Sequence, residues 1–232
     1  MADGTLVSVI IPTLDEAAGI AATLASVLAQ SGAQLVVADG GSSDGTPDVV
    51  RAAAPGAVIV EAPRGRAAQM NAGAAVARGD VLLFLHADTL LPGGALDAVR
   101  RATSGGAAGG CFETRFDDAT GWMRLWQARM WMRWHRFAFG DRALFARRSA
   151  FEAVGGFPRQ PLFEDLDFVR AVRAQGPFAF LDLAVTTSGR RYRRYGAFRQ
   201  QARNAALWAG WLVGIDPARL ARHYPHTRGA RE

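Results

Sequence analysis

The 232-residue chain contains no lysine, so each of its 27 basic side chains is an arginine. That excludes a Walker-type phosphate loop, which depends on a lysine. Cysteine is nearly absent as well. Cys111 alone can neither close an intrachain disulfide nor build a thiolate metal site, and the expected setting is the reducing cytoplasm. Long apolar runs are also missing. The longest near the C-terminus, Ala205 to Ile215, has eleven residues, well short of the roughly 20 that a spanning helix needs. Met1-Ala2-Asp3-Gly4 leads straight into a strand-like run, without the basic and apolar regions of a secretion signal.

With 50% hydrophobic and 21% charged residues, the chain can bury a core, which rules out disorder, collagen and coiled coil. The formal charge of +6 is unevenly placed. Residues 1–110 hold 6 Arg against 10 acidic residues, a balance of −4, and residues 111–232 hold 21 against 11, a balance of +10. A basic half suits nucleic acid, a membrane surface or an anionic substrate, and arginine in particular suits bidentate contact with phosphate or carboxylate. Composition alone does not choose among the three.

Periodicity predicts an α/β fold. Leu6 to Ile11, Leu35 to Ala38, Ala57 to Val60 and Val81 to Leu85 are short continuous apolar runs, the pattern of strands buried on both faces of a parallel sheet. Helical stretches lie between them. Glu16 to Gln30 sets Ile20, Leu24, Val27 and Leu28 on one stripe, Thr46 to Ala54 follows a turn, and Arg66 to Arg78 carries Met70, Ala74 and Ala77. Right-handed βαβ units in one doubly wound, mainly parallel sheet with helices on both faces follow from this order. Past Pro92 the expectations are a strand over Ala107 to Phe116, a helix over Thr120 to Arg136, a short strand over Ala143 to Ala146, a helix over Glu164 to Ala174 and a long helix from Ala197. No Pro/Ser-rich linker interrupts residues 1–232, which reads as one domain.

Ligands of such sheets bind at the carboxyl ends of the strands, where this chain concentrates its carboxylates. The first strand runs into Pro12-Thr13-Leu14-Asp15-Glu16, with proline expected to stop the ladder and Thr13 or Asp15 able to cap the next helix. After the second comes Asp39-Gly40-Gly41-Ser42-Ser43-Asp44-Gly45-Thr46, where the glycines allow close approach to a ligand, Asp39 can accept from a nucleoside and Asp44 suits a helix N-cap. The fourth delivers His86-Ala87-Asp88, a place for a divalent ion bridging a diphosphate or simply a packed histidine. In Glu164-Asp165-Leu166-Asp167 the carboxylates gain from a helix dipole, or one of them, desolvated by Phe163 and Phe168, is a general base. Arg190-Arg191-Tyr192-Arg193-Arg194 is a solvated basic face, a nucleic-acid patch or a clamp on a diphosphate.

Together, in order and over nearly the whole chain, these segments resemble family 2 glycosyltransferases of the GT-A fold. Arg66-Ala67-Ala68-Gln69-Met70-Asn71-Ala72-Gly73, Gly140-Asp141 and Arg190-Arg191-Tyr192 look like the subfamily called radical-SAM/selenodomain-associated transferase 2, also labelled arsenosugar-biosynthesis glycosyltransferase. The resemblance implies that residues 1–110 bind a nucleotide sugar and metal, and residues 111–232 the acceptor. It puts Pro12, Thr13 and Glu16 in the nucleoside pocket, Asp39 on the base, and Arg66 with Asn71 on the nucleotide sugar. Asp88 matches the last aspartate of a metal-binding DxD whose first is replaced by His86, with Mn2+ or Mg2+ as the implied cofactor. Asp165 matches the catalytic base, beside Glu164, and Arg190 or Arg191 neutralises the departing diphosphate in an inverting displacement. Gly40 stands where many relatives carry a second aspartate. Gln200-Gln201-Ala202-Arg203-Asn204 lacks the tryptophan of processive members, which implies single-sugar transfer.

Trp122, Trp126, Met130 and Trp134 recur at a spacing of four with Arg124, Arg129 and Arg133 between them. Such a helix serves as core, acceptor wall or interfacial element. With the apolar run at Leu207 to Ile215 it makes peripheral contact with the inner face of the cell membrane, or a homodimer, an expectation. Nucleic-acid binding leaves Asp39, Asp88 and Asp165 unexplained and is not expected. A sugar nucleotidylyltransferase would want a basic, glycine-rich first loop.

Overall fold

A computed structural model of the chain describes residues 4–117 and 140–224. The helix expected over Thr120 to Arg136, with its tryptophans, lies outside the described residues.

The order is β1 (Val7–Thr13), α1 (Ile20–Leu28), β2 (Ala33–Asp39), α2 (Thr46–Ala53), β3 (Val58–Glu61), α3 (Arg66–Val76), β4 (Val81–Phe84), β5 (Thr89–Leu90), α4 (Ala95–Ser104), β6 (Gly109–Phe116), a single 3-10 turn at Gly140–Arg142, β7 (Leu144–Arg147), α5 (Arg148–Ala153), α6 (Glu164–Arg173), β8 (Phe178–Thr187), α7 (Arg190–Tyr195), α8 (Ala197–Leu212) and α9 (Pro217–Ala221). The strands form one eight-stranded sheet in the order β3-β2-β1-β4-β7-β6-β8-β5. β3, β2, β1 and β4 are mutually parallel, as are β6 and β8; β7 runs antiparallel between β4 and β6, and β5 antiparallel at the edge. The sheet is mainly parallel, and it takes strands from both halves of the chain.

Alternation along the strands builds a core on each face. Val7, Val9 and Ile11 of β1, Leu35 and Val37 of β2 and Val81, Leu83 and Leu85 at β4 meet Ile20, Leu24 and Val27 of α1 and Leu96 and Val99 of α4. On the opposite face Ile10, Val36, Leu82 and Phe84 meet Met70 and Ala74 of α3 and Phe168, Val169 and Val172 of α6. Phe84, Phe157 and Phe168 form an aromatic cluster there, with Phe157 and Phe168 stacked at 4.0 Å between centroids. Phe168 therefore belongs to the core beneath α6. Cys111 is buried, which pushes its thiol up to about 12, so it stays protonated and inert at neutral pH.

Three local expectations are corrected. Pro12 does not end β1, which continues through it to pair Thr13 with Asp39. Thr13 and Ile11 bond toward β2, so the N–H that Pro12 lacks would face β4, whose ladder with β1 already ends at Ile10 and Phe84. The first helix begins at Ile20 rather than Glu16, because the backbone N–H groups of Asp15, Glu16 and Ala17 bond to side chains of the β2–α2 loop. Leu28, expected on the buried stripe, is 54% exposed.

Candidate active site

The carboxyl ends of β1 and β2 are tied into one framework. The Asp39 carboxylate, 5% exposed, accepts from the Thr13 hydroxyl (3.1 Å), the Ser42 hydroxyl (2.5 Å) and the backbone N–H groups of Gly41 (3.0 Å) and Ser42 (2.9 Å). All four of its strong acceptor positions are thereby engaged by the loop and by Thr13 at the end of β1. Asp15, at φ 52°, accepts at Oδ1 from the Ser43 N–H at 2.8 Å, so neither Thr13 nor Asp15 caps α1, whose N-cap is Gly19. Asp44 likewise sits one residue before the α2 N-cap, Gly45, and accepts from Thr46 and from the Ala17 N–H. Partial desolvation raises the Asp44 carboxyl pKa, but the hydrogen bonds from Thr46 and Ala17 outweigh it and hold the group below its ordinary value. Loop stability from Asp44 is therefore present at neutral pH and lost as pH falls through that depressed value.

Gln69, on α3, has a structural role that its place in the Arg66–Gly73 motif does not reveal. Its buried amide donates to the carbonyls of Thr13 (2.6 Å) and Ala38 (3.2 Å), stapling the ends of β1 and β2. A Cβ on Gly40 would lie 2.9 Å from the Gln69 Nε2. The missing side chain at Gly40 thus leaves the space that this staple occupies. Gly40→Asp is expected to destabilise the chain by about 1–2 kcal/mol, because it displaces a buried amide from two carbonyls. Adding Gln69→Ala should recover part of that loss in a double-mutant cycle followed by denaturant unfolding; strictly additive costs would show that the two positions do not compete.

Asn71 also turns out to be a frame residue. Its Nδ2 donates to the Phe157 carbonyl (2.8 Å), and its Oδ1 accepts the Phe157 N–H (2.9 Å), fixing the Gly155-Gly156-Phe157-Pro158 turn against α3. This turn leads into α6, whose first residues are Glu164 and Asp165.

That helix opens on Phe163, a bulky residue held in the left-handed region at φ 61° and packed on Trp211 of α8 at 5.7 Å between ring centroids. Such a conformation costs on the order of 1–2 kcal/mol and persists where the surroundings enforce it. It sets two carboxylates side by side in a buried place, with Glu164 2% and Asp165 5% exposed. Arg66, the first residue of α3, answers both: its Nε donates to Glu164 Oε1, and its Nη2 lies 4.0 Å from Asp165 Oδ2. Desolvation works against the Arg66 charge, but the Glu164 and Asp165 carboxylates more than compensate and raise its pKa above the ordinary arginine value. Asp165 Oδ1 accepts the Leu166 N–H at 2.8 Å. The second oxygen of Glu164, Oε2, is buried with no donor among the described residues.

A second ion-pair group joins Glu16, Asp88 and Arg190. Arg190, the first residue of α7, holds Glu16 through both carboxylate oxygens (3.0 and 2.9 Å) and reaches Asp88 Oδ2 at 3.2 Å. Its pKa is raised, first by the Glu16 hydrogen bonds, which together with the Glu16 and Asp88 charges outweigh desolvation. The Asp88 turn is itself anchored, because the Thr23 hydroxyl donates to the Ala87 carbonyl (2.8 Å) and the Ser188 N–H to the Asp88 carbonyl (3.1 Å). His86 and Asp88 are both partly exposed beyond β4, with Ala87 buried between them. The two ion-pair groups bring Glu16, Arg66 and Asp88 from the first half together with Glu164, Asp165 and Arg190 from the second. Arg191 follows Arg190 in α7.

No group of three potential metal ligands occurs among the described residues. One carboxylate and one imidazole beyond β4 fit a divalent ion whose other positions come from a substrate diphosphate, and the imidazole favours manganese over magnesium. They do not fit a metal caged by protein alone.

The fold is of the GT-A type, with known neighbours among solved glycosyltransferases. A mannosyltransferase from Pyrobaculum calidifontis, solved with GDP-Man and Mn2+, has a TM-score of 0.71 at 21% identity, with coverage of 97% of this chain and 71% of that one. TarS residues 1–349 from S. aureus gives 0.67 at 18% identity, covering 79% of this chain and 60% of that one. Glucosyl-3-phosphoglycerate synthase from Mycobacterium tuberculosis, solved with Mn2+, UDP and glucosyl-3-phosphoglycerate, gives 0.62 at 18% identity, covering 91% and 81%. The chain thus spans 60% of the length of TarS 1–349. No curated protein matches the sequence. The family model described as Glycosyl transferase family 2 matches residues 8–158, and the chain belongs to that family. The match ends before Glu164, Asp165 and Arg190, whose placement rests on the geometry above.

Proposed function

We propose that the protein transfers one sugar from a nucleoside diphosphate sugar to a hydroxyl-bearing small-molecule or lipid acceptor in a single inverting displacement. The observation that carries this reading is the buried Glu164–Asp165 pair, held by Arg66 and gathered to the same strand ends as Asp88 and Glu16. Neighbours solved with GDP-Man or UDP support the donor class.

In this reading Pro12, Thr13, Glu16 and Asp39 line the nucleoside side, with Asp39 acting through the loop it holds together. Arg66 carries positive charge to the sugar side, and Asn71 positions the turn that leads to the base. The acceptor hydroxyl gives its proton to Asp165 as its oxygen attacks the anomeric carbon, and the bond from that carbon to the diphosphate oxygen breaks on the opposite face. Glu164 Oε2, which has no donor among the described residues, accepts from a substrate hydroxyl. Arg190, joined by Arg191 on sequence position alone, leaves Glu16 and Asp88 to neutralise the departing diphosphate. Asp88 and His86 would hold Mn2+ or Mg2+ jointly with the diphosphate, and a bound ion supplies Lewis-acid stabilisation of the leaving group. The Arg66–Gly73 segment and Gly140-Asp141 support membership of the subfamily labelled for arsenosugar biosynthesis.

Thermal shift across a panel of nucleotide sugars with Mn2+ identifies the donor, since a ligand of the native state raises Tm. NMR of the product then gives the anomeric configuration, with inversion expected; retention would overturn the single displacement. Asp88→Ala is expected to abolish the Mn2+-dependent part of donor affinity in calorimetry, and an unchanged Mn2+ response would remove Asp88 from the metal's ligands.

A further inference from the structure

Helix α8 turns an uncharged face to solvent. Phe198, Ala202, Ala205, Ala209 and Leu212, spaced by four and three residues in alternation, are all exposed, as are Ala206 and Val213 beside them. The opposite side, with Gln200 and Leu207, is buried. At the turn from α8 to α9 the face ends in an apolar corner, with Leu212 38%, Val213 78% and Ile215 42% exposed. This corner is built rather than frayed. Trp211 packs on Phe163, a Cβ on Gly210 would meet Leu220 at 2.9 Å, and Asp216 caps α9 by accepting the Ala218 N–H at 2.8 Å.

Positive charge dominates around the face. From Leu183 to Tyr224 the chain carries eight arginines and one acidic residue, Asp216. Arg199, Arg219 and Arg222 are exposed near the apolar strip and its corner. A second copy of this face would bring mostly arginine against arginine, with no carboxylate on α8 and Asp216 alone at the corner to answer it. An anionic bilayer supplies both what the apolar corner lacks and what the arginines lack. No helix among the described residues is long and apolar enough to cross a membrane, so the contact lies along the interface.

We propose that the exposed face of α8 and the α8–α9 corner dock the protein on an anionic lipid surface, Leu212, Val213 and Ile215 entering the headgroup boundary and Arg199, Arg219 and Arg222 meeting lipid phosphates. The proposal does not depend on the reaction assigned above. It does place the interface beside Phe163, the residue that opens the helix bearing Glu164 and Asp165.

The test is co-sedimentation of the full chain with vesicles of phosphatidylglycerol and phosphatidylcholine, against vesicles of phosphatidylcholine alone. Strong binding to the first and little to the second is expected. Arg219→Gln and Arg222→Gln should each weaken binding about five-fold, and Val213→Asp about ten-fold or more. Val213 is so exposed that its variant is expected to fold, and unchanged circular dichroism and Tm confirm this; the arginine variants disturb no packing and provide an independent measurement. Equal binding to both vesicle types, no binding to either, or indifference to all three substitutions overturns the proposal. So does a wild-type dimer in light scattering that Val213→Asp dissociates without any vesicle binding, which assigns the face to a second copy.

Discussion

Asp165→Asn is expected to lower kcat by about 10²–10⁴-fold, the range that a positioned general base contributes, while donor affinity stays within a few-fold. The substitution keeps the volume and the acceptor oxygen that takes the Leu166 N–H, and it removes what an amide cannot supply, the capacity to take a proton and the negative charge that faces Arg66. Single-turnover kinetics separate the two effects, because a loss confined to the chemical step leaves the donor-binding isotherm in place. Full turnover in the variant would sink the assignment of Asp165. Glu164→Gln is the informative companion, since Glu164 takes the Arg66 hydrogen bond and keeps a second oxygen without a donor among the described residues. A rise in KM there, with kcat nearly kept, would mark Glu164 as a binding group.

Arg66→Ala has the largest effect expected on stability. It would leave the Glu164 and Asp165 side chains, 2% and 7% exposed, without their shared cation. Removing one partner of a fully buried pair costs about 3–5 kcal/mol, but the Arg66 side chain is 40% exposed and water screens part of the charge, so about 2 kcal/mol is expected. In a domain of this size that lowers Tm by about 4–8 °C. Adding Glu164→Gln should recover stability by removing one uncompensated charge. No recovery in the double variant would show that Arg66 acts only through packing.

Much of the first half was legible in the sequence. The apolar runs of β1, β2 and β4 are buried on both faces, and the helices between them present the stripes that cover the sheet. Such elements are local, so a short window of residues contains the reason for each. The second half was less so. β8 and the two-residue β5 went unpredicted because their pairing is decided by partners far along the chain, and β7 is antiparallel because it enters between β4 and β6. At the site, the residue types were readable but their partners were not. Gln69 and Asn71 hold the backbone of distant segments, and only the opposing Gly40 and Phe157 reveal why those side chains stand there.

The absence of lysine shows the same division. By itself the sequence determined that every cation is an arginine and that the second half is basic. Where those charges act was a tertiary decision. Arg100 bonds to the carbonyls of Thr5, Ser31 and Gly32, Arg142 to that of Phe112, and Arg148 to those of Ala77 and Gly79, so part of the positive charge closes backbone ends inside the fold. Arg66 and Arg190 reach carboxylates 98 and 174 residues away along the chain. A planar group with five donors can serve carbonyl, carboxylate or phosphate equally well. Composition fixes the donor, and only the folded chain selects the acceptor it meets.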